Sequence, residues 1–376
     1  MRKSTLPRIL ILSAYDAGSH QRWREQLVEM LPHYDWHSLA LSPRYFRWRI
    51  RGNALTWLDE PLLKEPWDLI IATSMVDLAP LKTFHPELAG VPVILYMHEN
   101  QFAFPRSGSQ HPSVEPQTVN LYSAIAADQV VFNSHWNLES FLAGLHDFLS
   151  KMPDGVPPGL CDRLRAKSRV LPVPVEDQLF RVRPREINRS CPHLLWNHRW
   201  EYDKGPDRLL MLLDQLAERD QPFRLSLVGE QFRRQPEAFE TIRKKYQDRI
   251  INWGYLAGRD QYHQLLAQAD VVISTAIHDF QGLAMIEAMA SGCLPLAPDR
   301  LAYPEYVPEV CLYAGNEVLP DMEARAAAET LVSNLASSYN HPLPDCWRVS
   351  ALREEYNRLF RGSFAKASLT FPRAFC

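Results

Sequence analysis

Short apolar runs recur along this chain, each closed by a turn-like loop and followed by a helical pattern: RILILSAY (8–15), DLIIATS (68–74), PVILYMHE (92–99) and QVVFNS (129–134). Strands that are apolar throughout need cover on both faces, and their alternation with helices signals a parallel sheet in a doubly wound α/β arrangement. A proline-punctuated stretch, RVLPVPVEDQLFRVRPRE (169–186), then interrupts the pattern and reads as a domain linker. Beyond it the pattern restarts: strands at HLLWNHRW (193–200), FRLSLVGE (223–230), INWGYL (251–256), VVISTA (271–276) and CLPLAP (293–298). Helices are expected over DRLLMLLDQLAERD, RDQYHQLLAQAD and GLAMIEAMASG, and a last amphipathic helix over DCWRVSALREEYNRLFRGSF. At 376 residues the chain exceeds one ordinary hydrophobic core, so two domains are expected.

The fold class read from this pattern is α/β with two Rossmann-like domains, 1–178 and 187–345. A helix and tail over 346–376 are expected to pack back towards the first domain. Sheets of this kind bind ligands beyond the carboxyl ends of their strands, and two that face each other share a cleft there. A net charge of -3 gives no global attraction for a polyanion, so any such partner needs a local basic patch. The six cysteines are scattered with no metal-type spacing, as in a cytosolic protein with reduced thiols. The N-terminal apolar run, ILIL, is too short for a signal core or a membrane span, and no membrane partner is expected.

Several strand ends carry polar clusters. After VVISTA, the loop IHDFQ leads into a helix near Gly282, with Asp279 in the loop and Glu287 inside the helix. Free amides at that helix start favour an anion or sugar hydroxyls, and glycine at 282 lets a ligand approach the backbone. After HLLW, the segment NHRWEYDKGPD sets Arg199 and Lys204 in a loop ahead of a helix, two cations suited to a diphosphate. MHENQFAFPR (97–106) ends the first domain's apolar strand with His98, Glu99 and Asn100. In AYDAGSH (14–20), Gly18 and Ser19 make a loop leading into a helix, and such loops approach the diphosphate or the acceptor; Gly18 is assigned to the donor and His20 to the acceptor. PRYFRWRIRGN (43–53) alternates Arg44, Arg47, Arg49 and Arg51 with Tyr45, Phe46 and Trp48 and contains no acid. Cations can meet phosphates while rings stack on unpaired bases, the chemistry of single-stranded RNA loops. The competing reading is an amphipathic element with core aromatics and solvated arginines.

The D-x7-E spacing of Asp279 and Glu287 resembles the E-x7-E signature of the retaining GT-B glycosyltransferases of family four, with a first acid one methylene shorter. The resemblance implies that Asp279 and the amides of Phe280, Gln281, Gly282 and Leu283 address the donor sugar. Glu287 would accept from the nucleotide ribose, Arg199 and Lys204 neutralise the leaving diphosphate, and His98 contact the sugar. No D-x-D occurs, so the two cations are expected to replace a metal. AGSHQRW, FRWRIRGNAL, MHENQFAFP, VVFNSHWNLESF, HRWEYDKGPD, WGYLAGRDQY and ADVVISTAIHDFQGLAMIEA together resemble the tRNA-queuosine mannosyltransferase family over residues 9–306. That resemblance implies a hexosyl transfer, mannosyl from GDP-mannose, to the queuosine cyclopentenediol at the tRNA wobble position, with no cofactor or metal. The anticodon loop would meet His20, Arg44, Arg47, Trp48, Arg49, Arg51, Glu99 and Asn100. The rivals are a sister transferase with a lipid or small-glycoside acceptor and a non-catalytic tRNA-binding relative.

Overall fold

The computed structural model describes residues 6–104, 113–181, 186–337 and 343–370. Residues 182–185 of the proline-rich stretch, Pro105 and Arg106 of the histidine motif, and the tail 371–376 lie outside them. The chain divides into two compact units, one formed by Met1–Pro174 with Val349–Cys376 and the other by Val175–Arg348.

Unit 1 contains strands β1 (Arg8–Ser13), β2 (Asp35–Ala40), β3 (Leu69–Thr73), β4 (Val93–Met97), β5 (Gln129–Phe132) and β6 (Ser168–Val170). Its helices are α1 (Gly18–Met30), α2 (Phe46–Thr56), α3 (Leu78–Phe84), α4 (Glu115–Ala126), α5 (His135–Ser150) and α6 (Leu160–Ala166). The sheet runs β2-β1-β3-β4-β5-β6 with every pairing parallel. β1, β3, β4 and β5 are the apolar runs of the sequence, buried almost throughout. The edge strand β2, DWHSLA, is half-exposed along its length, so it carries no apolar run by which to recognise it. β6 lies inside the stretch read as linker, which therefore begins with sheet structure.

Unit 2 contains β7 (His193–Trp196), β8 (Arg224–Val228), β9 (Ile250–Gly254), β10 (Val271–Ile273), β11 (Leu294–Pro298) and β12 (Leu312–Tyr313). Its helices are α7 (Pro206–Glu218), α8 (Glu237–Lys245), α9 (Arg259–Gln268), α10 (Leu283–Ala290) and α11 (Pro320–Ala336). Strand order is β12-β11-β10-β7-β8-β9, again parallel. From β7 the chain winds one way through β8 and β9, then returns to β10 on its other side. The loops after β7 and β10 thus diverge at a topological switch point, where an open α/β sheet offers a crevice.

The last helix, α12 (Val349–Thr370), belongs to unit 1. The Tyr356 hydroxyl accepts from the Trp23 indole at 3.1 Å and donates to the Pro172 carbonyl at 3.0 Å, while Leu359 and Phe360 are buried. No helix among the described residues is long and apolar enough to cross a membrane.

Candidate active site

The loop after β7 and the loop after β10 meet in unit 2. Lys204, expected to face a diphosphate, is buried and donates to the His278 carbonyl at 2.7 Å. Its Nζ also lies 3.2 Å from an Asp203 carboxylate oxygen and 3.5 Å from Asp279 Oδ2. The Asp203 carbonyl accepts the amides of Ile277 and His278, which laces the two loops together. Arg199 stays half-exposed and pairs with Glu201 at 3.0 Å. One cation is therefore a fixed internal charge, and the other reaches solvent.

Asp279 accepts the Gly282 amide through Oδ1 at 3.0 Å, so it closes the turn into α10. Burial works against its charge, but Lys204, His198, His278 and the Gly282 amide outweigh burial and hold its carboxyl below the usual range. Gly282 has φ +75°, and a Cβ there would lie 2.2 Å from the Tyr306 hydroxyl oxygen. The conformation and Tyr306 thus require a glycine whatever approaches the backbone. Phe280 and Gln281 are buried and Leu283 is half-buried. Glu287 is not a solvated helix acid: it is 8% exposed and accepts the Tyr262 hydroxyl at 3.0 Å. Asn197 Nδ2 donates to that same hydroxyl at 2.9 Å and to the Ala284 carbonyl, so the end of β7, α9 and α10 share one polar chain.

Asn197 Oδ1 and His198 Nε2 are buried and have no hydrogen-bond partner among the described residues. Such atoms are costly unless a ligand or water meets them. Burial, reinforced by the Lys204 charge and opposed by Asp279 and Asp203, pushes the His198 ring down to about 4. A histidine neutral in the fold and basic when unfolded stabilises the fold above its unfolded range, and that stability is lost as pH falls towards the folded value. Unfolding titrations of wild type and His198→Gln should therefore diverge between about pH 6.5 and 4, the wild type losing more stability on acidification. Parallel pH profiles would mean that the ring takes up its proton equally in both states.

In unit 1, His98 follows β4 and is buried. Its ring stacks on His20 at 4.2 Å and meets Trp23 and Tyr96 edge-on or tilted, each at 4.7 Å. Burial and the His20 charge push it far below the ordinary histidine range, so it is neutral. His20, expected at the acceptor, is instead bonded at both ring nitrogens: Nδ1 to the Tyr15 carbonyl at 2.9 Å and Nε2 to Glu99 at 3.4 Å. Burial opposes its charge, but Glu99, the Tyr15 carbonyl and Asp16 prevail and raise its pKa. Asn100, also expected at the acceptor, is fully buried and committed to the fold. It donates to Asn137 and Ser140 and accepts the amides of Phe102 and Ala103. In this structure both residues brace the strand end that carries His98. Glu99 is partly exposed and bridges His20 and Ser74. Gly18 opens α1 with nothing within 4 Å of where a Cβ would stand.

The arginine and aromatic segment forms α2 and the turn before it. Helical spacing separates what the sequence alternates. Arg44, Arg47 and Arg51 are exposed, whereas Arg49 is half-buried, with Nε and Nη1 enclosed. Arg51 binds the buried Asp77 at 2.8 Å. Phe46 meets Tyr15 edge-on, while Tyr45 and Trp48 project to solvent at 70% and 55% exposure. Core aromatics were the competing reading, and only Phe46 fits it.

Residues 8–175 match the family described as tRNA-queuosine alpha-mannosyltransferase N-terminal, and residues 183–330 match glycosyl transferases group 1. A tRNA-queuosine alpha-mannosyltransferase of Drosophila melanogaster is 36% identical over 321 residues, covering 83% of this chain and 85% of that protein. The chain belongs to the tRNA-queuosine alpha-mannosyltransferase family. A weaker relative is the GDP-mannose:cellobiosyl-diphosphopolyprenol alpha-mannosyltransferase of Xanthomonas oryzae pv. oryzae, 25% identical over 38% of this chain and 37% of its own. Among solved structures, sucrose-phosphate synthase from Thermosynechococcus elongatus matches with TM-score 0.65 at 16% identity, covering 96% of this chain and 100% of that one. A glycosyltransferase from Rickettsia africae matches with TM-score 0.60 at 15% identity, covering 96% and 99%. The fold is that of the GT-B glycosyltransferases, and the chain is a glycosyltransferase.

Within this family member, unit 2 holds Lys204 and Asp279 in one ion cluster and Glu287 in a hydrogen-bonded chain with Tyr262 and Asn197. Arg199 sits at the edge of the ion cluster. Reading the sequence missed Asn197, His198, Asp203, Tyr262, His278 and Tyr303. Asn197, His198 and Asp203 lie within the motif that carries Arg199 and Lys204, so the signal was present there. Tyr262 and Tyr303 come from α9 and from beyond β11, and only folding joins them to the acids.

Proposed function

We propose that the protein transfers mannose from GDP-mannose onto the cyclopentenediol of queuosine at the wobble position of tRNA, in the cytoplasm and without a metal ion. The observation that carries the donor half is the network at the switch point: a buried lysine held by Asp203 and Asp279 beside the start of α10, with Arg199 reaching solvent. A fixed positive charge beside the positive end of a helix suits a departing diphosphate. Gly18, at the exposed start of α1, offers a second approach to phosphate. His98 contacts the transferred sugar, and Glu287 accepts from ribose.

The reaction retains configuration by front-face attack. The acceptor oxygen bonds to the anomeric carbon as the bond to the diphosphate oxygen breaks. The hydroxyl proton passes to that leaving oxygen, so no enzymic base is needed. Mass spectrometry of nucleosides from queuosine-containing tRNA incubated with the protein and a panel of sugar nucleotides tests this. A hexosylated queuosine formed with GDP-mannose is expected. Transfer only to a lipid or small glycoside would replace the RNA acceptor, a reading to which the lipid-linked name of the Xanthomonas relative lends some weight.

Glu287→Ala should weaken GDP binding by about 1.5 to 3 kcal/mol, the range for a hydrogen bond to a charged group. Calorimetric titration with GDP checks it; an unaltered affinity would leave Glu287 as an anchor for Tyr262 alone.

A further inference from the structure

Trp48 has an unusual seat. A Cβ at Gly52 would lie 2.5 Å from Trp48 Cε2 and 2.8 Å from Cδ2 and Cζ2, and these three ring atoms are its nearest neighbours. The indole therefore lies flat over the backbone of its own helix, four residues along. Gly52 is buried beneath it, yet Trp48 is 55% exposed. Among the described residues no other ring packs against it. Glycine inside a helix is a conformational liability, so a glycine here needs a reason, and the ring above it supplies one. A tryptophan serving the core would bury its ring between elements. This one buries a patch of helix backbone and turns its other face outward.

The surroundings select the ligand. Tyr45, at φ +57° ahead of α2, holds its ring in solvent with the Arg44 guanidinium 5.6 Å from its centre. Arg44 and Arg47 are exposed in the same segment, Arg51 is paired with Asp77, and residues 41–58 contain no acid. A cationic rim attracts a polyanion, and rigid flat rings select one with flat faces of its own. We propose that the Trp48 ring, seated on Gly52, is a stacking platform for one unpaired base of the RNA acceptor, with Arg44 and Arg47 taking the flanking phosphates. This rests on the reading of the protein as a tRNA glycosyltransferase.

Trp48→Ala, Trp48→Phe and Gly52→Ala, each in the full chain, test it against queuosine-containing tRNA and, separately, GDP. Trp48→Ala should weaken tRNA binding about tenfold to a hundredfold, the scale of one lost base–aromatic stack, and Trp48→Phe should retain most of it. Gly52→Ala favours the helix but lifts the ring from its seat, so it should melt no lower than wild type and still lose tRNA affinity as Trp48→Ala does. GDP affinity should hold in all three. The tRNA-induced quenching of tryptophan fluorescence should be smaller in Trp48→Phe than in wild type. Unchanged tRNA binding in both Trp48→Ala and Gly52→Ala overturns the platform while leaving the functional reading in place. So does a change of oligomeric mass in Trp48→Ala without a change in RNA affinity, which would make the ring a contact between copies. A wild-type protein that glycosylates no tRNA with any sugar nucleotide overturns the functional reading itself.

Discussion

Lys204→Ala and Arg199→Ala should each lower turnover by roughly a hundredfold or more, because each removes charge that stabilises the diphosphate as it departs. The structure separates the two variants in stability. Lys204 is buried between Asp203 and Asp279, so its removal leaves two enclosed carboxylates without their cation. Breaking a buried pair by deleting one partner costs about 3 to 5 kcal/mol. Lys204→Ala should therefore melt well below wild type. Arg199 is half-exposed and pairs only with Glu201 among the described residues, so Arg199→Ala should melt close to wild type. Lys204→Gln, which keeps a donor for the His278 carbonyl, separates loss of charge from loss of packing. Its turnover should stay low even where its melting recovers. Wild-type turnover in a well-folded Arg199→Ala or Lys204→Gln protein would remove that residue from the leaving-group role.

The second large effect concerns α2. Reversing Arg44 and Arg47 to glutamate should weaken tRNA binding and flatten its salt dependence, since fewer counterions are released per complex. The loss should exceed tenfold at low salt, because two attractions become two repulsions. Arg51 is the wrong choice for this test. Its partner Asp77 is buried, and burial, only partly offset by Arg51, pushes that carboxyl up to about 6, so altering Arg51 would disturb the fold as well. Binding titrations over several salt concentrations with queuosine-containing tRNA, run beside GDP on the same variant, are the measurement. Affinity and salt slope near wild type would mean these arginines are a solvated face. Loss of GDP affinity as well would point to a folding defect.

What could be read before folding followed from local chemistry. Continuous apolar runs specify strands buried on both faces, which is why β1, β3, β4, β5, β7 and β10 are visible in the sequence. Asp279, Glu287, Arg199 and Lys204 could be singled out because each follows a strand closely and belongs to a recognisable spacing. β2 escaped because an edge strand with one wet side has no continuous apolar signal. In the sequence, polar residues such as His20 and Asn100 look the same whether they face a ligand or tie down a loop. Their hydrogen bonds to Glu99, Asn137 and Ser140 exist only once distant segments meet.

The sequence by itself determined that the chain forms parallel sheets flanked by helices, and it set which strand ends carry charge, since burial of apolar residues and chain order are local facts. Only the tertiary structure decided what state those charges are in. Lys204 is an internal ion held by two acids, and Glu287 a buried acceptor fed by Tyr262. The reason is physical: desolvation and pairing depend on which atoms share a space, and residues tens of positions apart share it only after the sheet has closed.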